Sequence, residues 1–296
     1  MKIDVVFSGG GVKAYAFIGA LKAIYEKNLQ IERVAGTSAG AIFSSLVAAR
    51  YTFDEITALV NELDLKQLLD KPLVSKVLPF SKWLVLYFQL GLYKGDHLEQ
   101  WLYSQLSKKG IYTFADLQDG QFKVVVSDLT LGKLVVIPND LRRVYGIDEK
   151  DFPVARAVRM SAGFPYFFIP KKLISDSNQK SIIVDGGLLS NFPLWIFEDG
   201  SETKKRPVLG VKLGESMDSM KRKNIRNSFD MFQAMFLTMK KAHDNRYISK
   251  EEKRNIIYIP VNDIDSIDFN IEDELKLQMS EKGYERSTEF LQRWPK

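Results

Sequence analysis

Short runs rich in β-branched residues, several of them continuously apolar, alternate along this chain with stretches whose apolar residues recur every three to four positions. The runs at 3–7, 33–35, 122–127, 133–137, 182–184, 207–213 and 256–261 are rich in β-branched residues. Runs of this kind, without polar alternation, read as strands buried on both faces of a mainly parallel sheet. Residues 15–27 place Phe17, Ile18, Leu21, Ile24 and Tyr25 on one helical stripe. Asp96 followed by Glu99 reads as a capping box opening a helix through Leu98, Trp101, Leu102 and Leu106, and residues 228–247 read as another helix. Strands alternating with helices predict an α/β fold, a three-layer α/β/α sandwich around a central mainly parallel sheet. Residues from about 54 to 110 form a helical excursion from that sheet. No repeat or flexible linker interrupts the chain. A single domain over 1–296 is therefore expected, its chemistry-bearing part at about 3–215 and C-terminal helices with one strand at 216–296.

Composition narrows the chemistry. Of 296 residues 45% are hydrophobic, enough for a sizeable core, and the chain has no cysteine and two histidines. Disulfides, a thiol nucleophile and cysteine-based zinc sites are excluded. The acidic run at 263–268 lacks the spacing and turn glycine of a calcium loop, so no metal or cofactor is expected. The net charge of +5 comes with short basic runs, Lys204-Lys205-Arg206 and Lys221-Arg222-Lys223. Such runs usually coat a solvated loop, and with no aromatic interleaving nucleic acid is not an expected partner. The most apolar stretch, 77–90, is interrupted by Pro79, Lys82 and Gln89 and is shorter than the ~20 apolar residues that span a bilayer. The chain starts directly in a strand without the pattern of an export leader. The expected location is the cytoplasm or the periphery of a membrane surface, with the aromatic segment 80–93 either a membrane-facing lid or ordinary core.

Gly36-Thr37-Ser38-Ala39-Gly40 stands between the apolar run at 33–35 and a helical stretch at 41–48. A sharp strand-to-helix turn lifts a serine Oγ clear of the backbone, and it demands small residues two before and two after, here Gly36 and Gly40. The plainer reading is a glycine-rich turn whose serine caps a helix. Ser8-Gly9-Gly10-Gly11-Val12-Lys13 follows the first strand. The amides of Gly9, Gly10 and Gly11 can face an oxyanion without Cβ obstruction, and Lys13 adds positive charge toward the oxyanion or a substrate phosphate. Gly9, Gly11 and Ala14 also fit a dinucleotide fingerprint, with Glu32 about twenty residues on. In that fold, however, the acidic residue ends the second strand, whereas Glu32 precedes it.

Asp185 closes an apolar run and is followed by Gly186 and Gly187, which leave nothing bulky beside it. Such an aspartate can take the Ser38 proton directly if a dry pocket raises its pKa; the bland alternative is an Asp-Gly turn. The order Ser38, Asp185, His243 would suit an α/β-hydrolase triad. Yet a triad histidine normally rides a loop, and His243 falls within the helix at 228–247, while His97 lies in the first turn of another helix.

In combination these motifs resemble the patatin-like phospholipase family, whose pattern is G-G-G-x-K/R-G, then G-x-S-x-G, then D-G-G/A. The matching stretches are Gly9-Gly10-Gly11-Val12-Lys13-Ala14, Gly36-Thr37-Ser38-Ala39-Gly40 and Asp185-Gly186-Gly187. Two further blocks, Ser127-Asp128-Leu129-Thr130-Leu131-Gly132 and the stretch from Ser161 to Pro170, are similar to it as well. Ala14 departs from the family's glycine by one methyl group. The resemblance covers about residues 3–215. It implies an α/β sandwich and a lipid acyl hydrolase of the phospholipase A or lysophospholipase type, with a lipid or phospholipid substrate. It further implies Ser38 as the acylated nucleophile, Asp185 as the base of a Ser-Asp dyad and Gly9 to Gly11 as the oxyanion hole. A His-dependent esterase of small esters and a nucleotide-binding module are the competing expectations.

Overall fold

The computed structural model describes residues 1–71, 88–197, 206–214, 225–226, 228–247, 252–261 and 269–295, with the backbone alone for 228–229, 240–247 and 252–253. The basic run at 221–223, the acidic run at 263–268 and most of the apolar stretch 77–90 lie outside the described residues.

Strand β1 (Lys2–Phe7) shows the rule that organises the sheet. Ile3, Val5 and Phe7 enter one apolar core while Val6 enters a second on the opposite face, as the two-residue period of a strand requires. β1 pairs in parallel with β2 (Gln30–Gly36) and with β9 (Val208–Leu213). Parallel pairing continues outward to β4 (Phe122–Asp128) on one side and β10 (Ile256–Ile259) on the other. Beyond β4 the direction reverses: β5 (Lys133–Ile137) and β8 (Lys180–Asp185) are antiparallel to β4, and β7 (Lys171–Ile174) to β8. The order is β10-β9-β1-β2-β4-β8-β7, with β5 also on β4. The central sheet is mixed and mostly parallel. A separate parallel pair, β3 (Gly91–Tyr93) with β6 (Tyr166–Phe168), stands apart from it.

The helices are α1 (Ala16–Glu26), α2 (Ala39–Ala48), α3 (Phe53–Glu62), α4 (Asp96–Lys108), α5 (Leu141–Tyr145), α6 (Val154–Ser161), α7 (Ser228–Tyr247) and α8 (Asp273–Leu291). The larger core gathers Phe7, Phe17, Leu21, Phe43, Leu46 and Val158 from β1, α1, α2 and α6. On the opposite face Val6, Ala35 and Val125 meet Phe192, Leu194 and Phe197 from the segment after β8.

Two local expectations change. Asp96 and Glu99 form no capping box: Gly95 occupies the N-cap position at φ 69°. The first amides of α4 donate instead to the Asp70 carboxylate, Asp96 N at 2.9 Å and His97 N at 3.4 Å. Asp96 and Glu99 pair with Lys171, and a cap borrowed from another segment leaves no local signature. Arg206 is more than a solvated loop residue. Its Nε donates to the fully buried Asp4 at 3.0 Å, which also takes two bonds from Arg33. A buried carboxylate of this kind must be paired.

α8 closes the fold by crossing α1 backbone to backbone. A Cβ on Gly19 would meet the Ser280 carbonyl, and one on Gly283 would meet the Ala16 carbonyl. Only glycine permits this approach, and the larger core accordingly runs from Ile3 to Trp294. Gly283→Val should lower the midpoint of a single thermal unfolding transition by several degrees, through an overpacking penalty of about 2 kcal/mol or more. An unchanged midpoint by calorimetry would detach α8 from the core.

Candidate active site

β2 ends at Gly36 and the chain turns through Thr37 and Ser38 into α2. Ser38 sits at φ 56°, ψ −126°, a region that a non-glycine residue occupies only when its surroundings hold it there. The restraints are visible. Ser38 N donates to Ser161 Oγ at 3.0 Å, and that hydroxyl donates to the Val125 carbonyl at 2.7 Å. Thr37 Oγ1 donates to the Ser190 carbonyl at 3.1 Å. The carbonyl of Ser38 accepts from Ala41 N and Ile42 N, so the turn passes straight into helix. Gly40 lies against the carbonyls of Phe7 and Ser8, and a Cβ at Gly36 would strike the backbone of Gly40. This strand–turn–helix has the form of a nucleophile elbow.

The glycine loop leaves β1 alongside. Ser8 anchors it to β9, donating N–H to the Val211 carbonyl and accepting from Leu213 N, both at 3.0 Å. Gly9 touches the elbow, since a Cβ built on it would stand 3.2 Å from Ser38 Cβ. Its amide departs from the sequence expectation: Gly9 N–H donates to the Asn191 carbonyl at 2.9 Å and is committed there. Gly10 and Gly11 line the cavity beside Ser38. Lys13 follows in a 3-10 turn, Gly11–Tyr15, half-buried and outside the cavity wall. Glu32, the acidic residue of the dinucleotide pattern, pairs with Lys2 in the middle of β2.

Asp185 ends β8. Its N–H donates to the Gly163 carbonyl at 2.9 Å, and its Oδ1 accepts Gly187 N–H at 2.7 Å. That bond pins the carboxylate against the Gly186–Leu188 turn. The side chain is buried yet lines the same cavity as Ser38, Gly10, Gly11 and Asn191. The cavity measures about 170 Å³. Beyond this polar end its wall is apolar, including Leu46 of α2, Leu63 after α3, Leu98 and Trp101 of α4, and Phe236 of α7. Ser38 and Asp185, 147 positions apart in the chain, thus line one chamber.

Among the described side chains no histidine lines the cavity. His97 is exposed, its Nδ1 2.8 Å from the Gln67 carbonyl. The backbone of residue 243 is helical in α7, seven residues past Phe236 and so about 10 Å further along the axis; its side chain lies outside the described residues. Of segment 80–93, the described end exposes Phe88 and Leu90, then turns inward as β3, where Tyr93 packs on Phe167 at 4.9 Å between ring centroids. Among the described residues no helix is long and apolar enough to cross a membrane, and no group of three or more His, Asp or Glu side chains is placed to hold a metal ion.

Three residues of the site were assigned no role from the sequence, although Ser161 opens the 161–170 block that is similar to the family. Ser161 restrains the elbow, and Asn191 faces the cavity. Arg159 lies fully buried behind it. Its Nε donates to the Gly95 carbonyl and its Nη2 to those of Lys94 and Ile169, and its guanidinium stacks 4.7 Å from the Phe168 ring. Burial lowers its pKa to about 10 against the pull of Glu99, Asp96, Asp70 and Asp185, so the group remains a cation at neutral pH.

The fold is mixed α/β around a mostly parallel central sheet, and the family that the chain matches supports a lipid hydrolase. The chain belongs to the patatin-like phospholipase family, whose model matches residues 5–198. It is 48% identical over 294 residues to YqhO of Bacillus subtilis (strain 168), covering 99% of both chains. Its fold is similar to that of VipD from Legionella pneumophila, with a TM-score of 0.56 at 18% identity, covering 98% of this chain and 66% of VipD. ExoU from the type III secretion system of Pseudomonas aeruginosa gives a TM-score of 0.53 at 18% identity, covering 98% and 52%. The chain therefore spans about two thirds of VipD and half of ExoU.

Ser161→Ala removes the acceptor of Ser38 N–H and strands a part-buried amide, a loss of about 1 kcal/mol or more. Denaturant unfolding should show that loss, and hydrolysis should fall with it because the elbow relaxes. Wild-type stability in this variant would remove Ser161 from the restraint.

Proposed function

We propose that this protein is a lipid acyl hydrolase of the phospholipase A or lysophospholipase type, cleaving carboxylic esters through Ser38 and Asp185. One observation carries the reading: a single cavity holds the elbow serine, the strand-end aspartate and the glycine loop at its polar end and is apolar elsewhere. An ester carbonyl placed at Ser38 would extend its acyl chain along that wall, where apolar burial favours a hydrocarbon over a small polar ester.

The chemistry follows from the positions. Asp185 takes the Ser38 proton as Oγ attacks the ester carbonyl, and the oxyanion develops against the Gly10 and Gly11 amides. Collapse releases the alcohol, which takes the proton back from Asp185, and leaves an acyl-enzyme that water hydrolyses with Asp185 again as base. Gly187 N–H on Oδ1 fixes the carboxylate's orientation. No histidine takes part, and Lys13 acts at most outside the chamber. The glycine loop serves this chemistry and binds no nucleotide. The whole chain is read as one patatin-like unit, because α8 shares the core of the elbow-bearing sheet. Substrate comes from a membrane surface, which the protein meets peripherally.

Fatty acid release from phosphatidylcholine and lysophosphatidylcholine vesicles is the test. Ser38→Ala and Asp185→Asn should each lower the rate by a factor of about 10³ or more. His243→Ala should retain it, and a chelator should leave it unchanged. A dead His243→Ala with correct folding would replace the dyad by a triad. Full activity in Asp185→Asn would end the role of the carboxylate.

A further inference from the structure

Asn191 is 2% exposed and lines the cavity with Ser38 and Asp185. Its backbone carbonyl holds Gly9 N–H at 2.9 Å, and its Nδ2 donates to the Gly9 carbonyl at 3.4 Å. This contact favours the orientation in which Nδ2 faces the Gly9 carbonyl, since the opposite setting would oppose two carbonyl oxygens. Oδ1 is then the atom left over, and among the described residues it accepts no hydrogen bond although it is buried. A buried amide oxygen without a donor is costly and calls for an explanation. Its location supplies one. An ideal Cβ on Gly187 would lie 2.9 Å from Asp185 Oδ1 and 3.3 Å from Asn191 Oδ1, so both oxygens stand over the same face of Gly187. Asp185, Gly187 and Asn191 all line the chamber, and the two acceptors therefore border its polar end together.

We propose that Asn191 is a catalytic residue of the deacylation half-reaction, its Oδ1 accepting one hydrogen bond from the hydrolytic water while Asp185 accepts the other. This rests on the acyl-enzyme reading given above. A lone water near a carboxylate can rotate freely about that bond. Two acceptors fix both of its hydrogens and direct a lone pair at the acyl carbon. In the step itself the water oxygen bonds to the acyl carbonyl carbon and one proton passes to Asp185. The second hydrogen stays on oxygen, bonded to Asn191 Oδ1. Negative charge moves to the carbonyl oxygen against the Gly10 and Gly11 amides. The carbon–Oγ bond then breaks, Ser38 Oγ recovers the proton from Asp185, and the fatty acid leaves. Acylation needs no such acceptor, because its nucleophile is already tethered at Ser38. The residue should therefore separate the two halves of the cycle.

The experiment follows p-nitrophenyl butyrate hydrolysis by stopped flow, with occupancy of Ser38 read by intact-protein mass. Asn191→Leu keeps the branched shape of the side chain and removes the acceptor. Acylation should stay within about threefold of wild type while deacylation slows by about 10- to 100-fold. A burst of nearly one equivalent of nitrophenol and a butyryl adduct on Ser38 should then appear. Equal loss in both steps would make Asn191 only a scaffold for Gly9 and overturn the proposal, as would unchanged rates in both. If Asn191→Leu does not fold, Asn191→Asp decides, assayed on the alkaline plateau of its pH profile. It keeps an oxygen facing the water but loses the donor to Gly9. The proposal expects acylation and turnover with no accumulated acyl-enzyme in this variant; accumulation, or loss of acylation itself, overturns it. A wild-type protein that forms no Ser38 adduct and releases no nitrophenol would instead refute the acyl-enzyme reading itself.

Discussion

The strained turn at Ser38 is the constraint on which the site depends. A serine at φ 56° costs backbone energy of order 1–3 kcal/mol, and it persists because several independent elements hold it. Ser161 comes from the end of α6 and accepts the Ser38 amide. Val125 of β4 holds Ser161 in turn. The Phe7 and Ser8 carbonyls at the end of β1 press on Gly40. The elbow is thus clamped by three parts of the fold that are remote in sequence. Relaxing any of them would lower Oγ toward the backbone and away from the cavity.

The same convergence positions everything else. β1 and β2 lie parallel and adjacent, so the glycine loop leaving β1 and the elbow leaving β2 emerge at the same end of the sheet. This is where open α/β sheets place their ligand sites. β8 runs antiparallel on the far side of β4 and delivers Asp185 opposite Val126. The reversal matters, because it brings the end of β8 back toward the elbow. Asn191 then joins the turn after Asp185 to the Gly9 loop through paired backbone and side-chain bonds. Polar groups from three loops therefore share one small volume, and α7, α4 and the segment after α3 close the rest with apolar side chains.

Much of this was legible in the sequence, and for identifiable reasons. Runs rich in apolar and β-branched residues, several of them continuously apolar, marked β1, β2, β4, β5, β8, β9 and β10. The elbow was readable because its steric demand falls on two fixed neighbours, Gly36 and Gly40. Strand direction was partly hidden, although four residues between β4 and β5 leave no room for a crossover. β3, β6 and β7 are short and owe their pairing to tertiary context. The Asp70 cap on α4, the Arg159 bonds to three carbonyls and the Ser161 bond to Ser38 all join residues remote in the chain, so no local pattern announces them. The Gly9 amide was misjudged for the same reason: glycine shows that an amide is accessible, not which acceptor takes it.

The account stands on Ser38 as the nucleophile of a chamber shared with Asp185. Covalent labelling by a fluorophosphonate, mapped by peptide mass spectrometry, tests this most directly. The account predicts one adduct per chain, on Ser38, absent in Ser38→Ala and strongly slowed in Asp185→Asn. Labelling at another residue, or at Ser38 with the same rate when Asp185 is replaced, would contradict it.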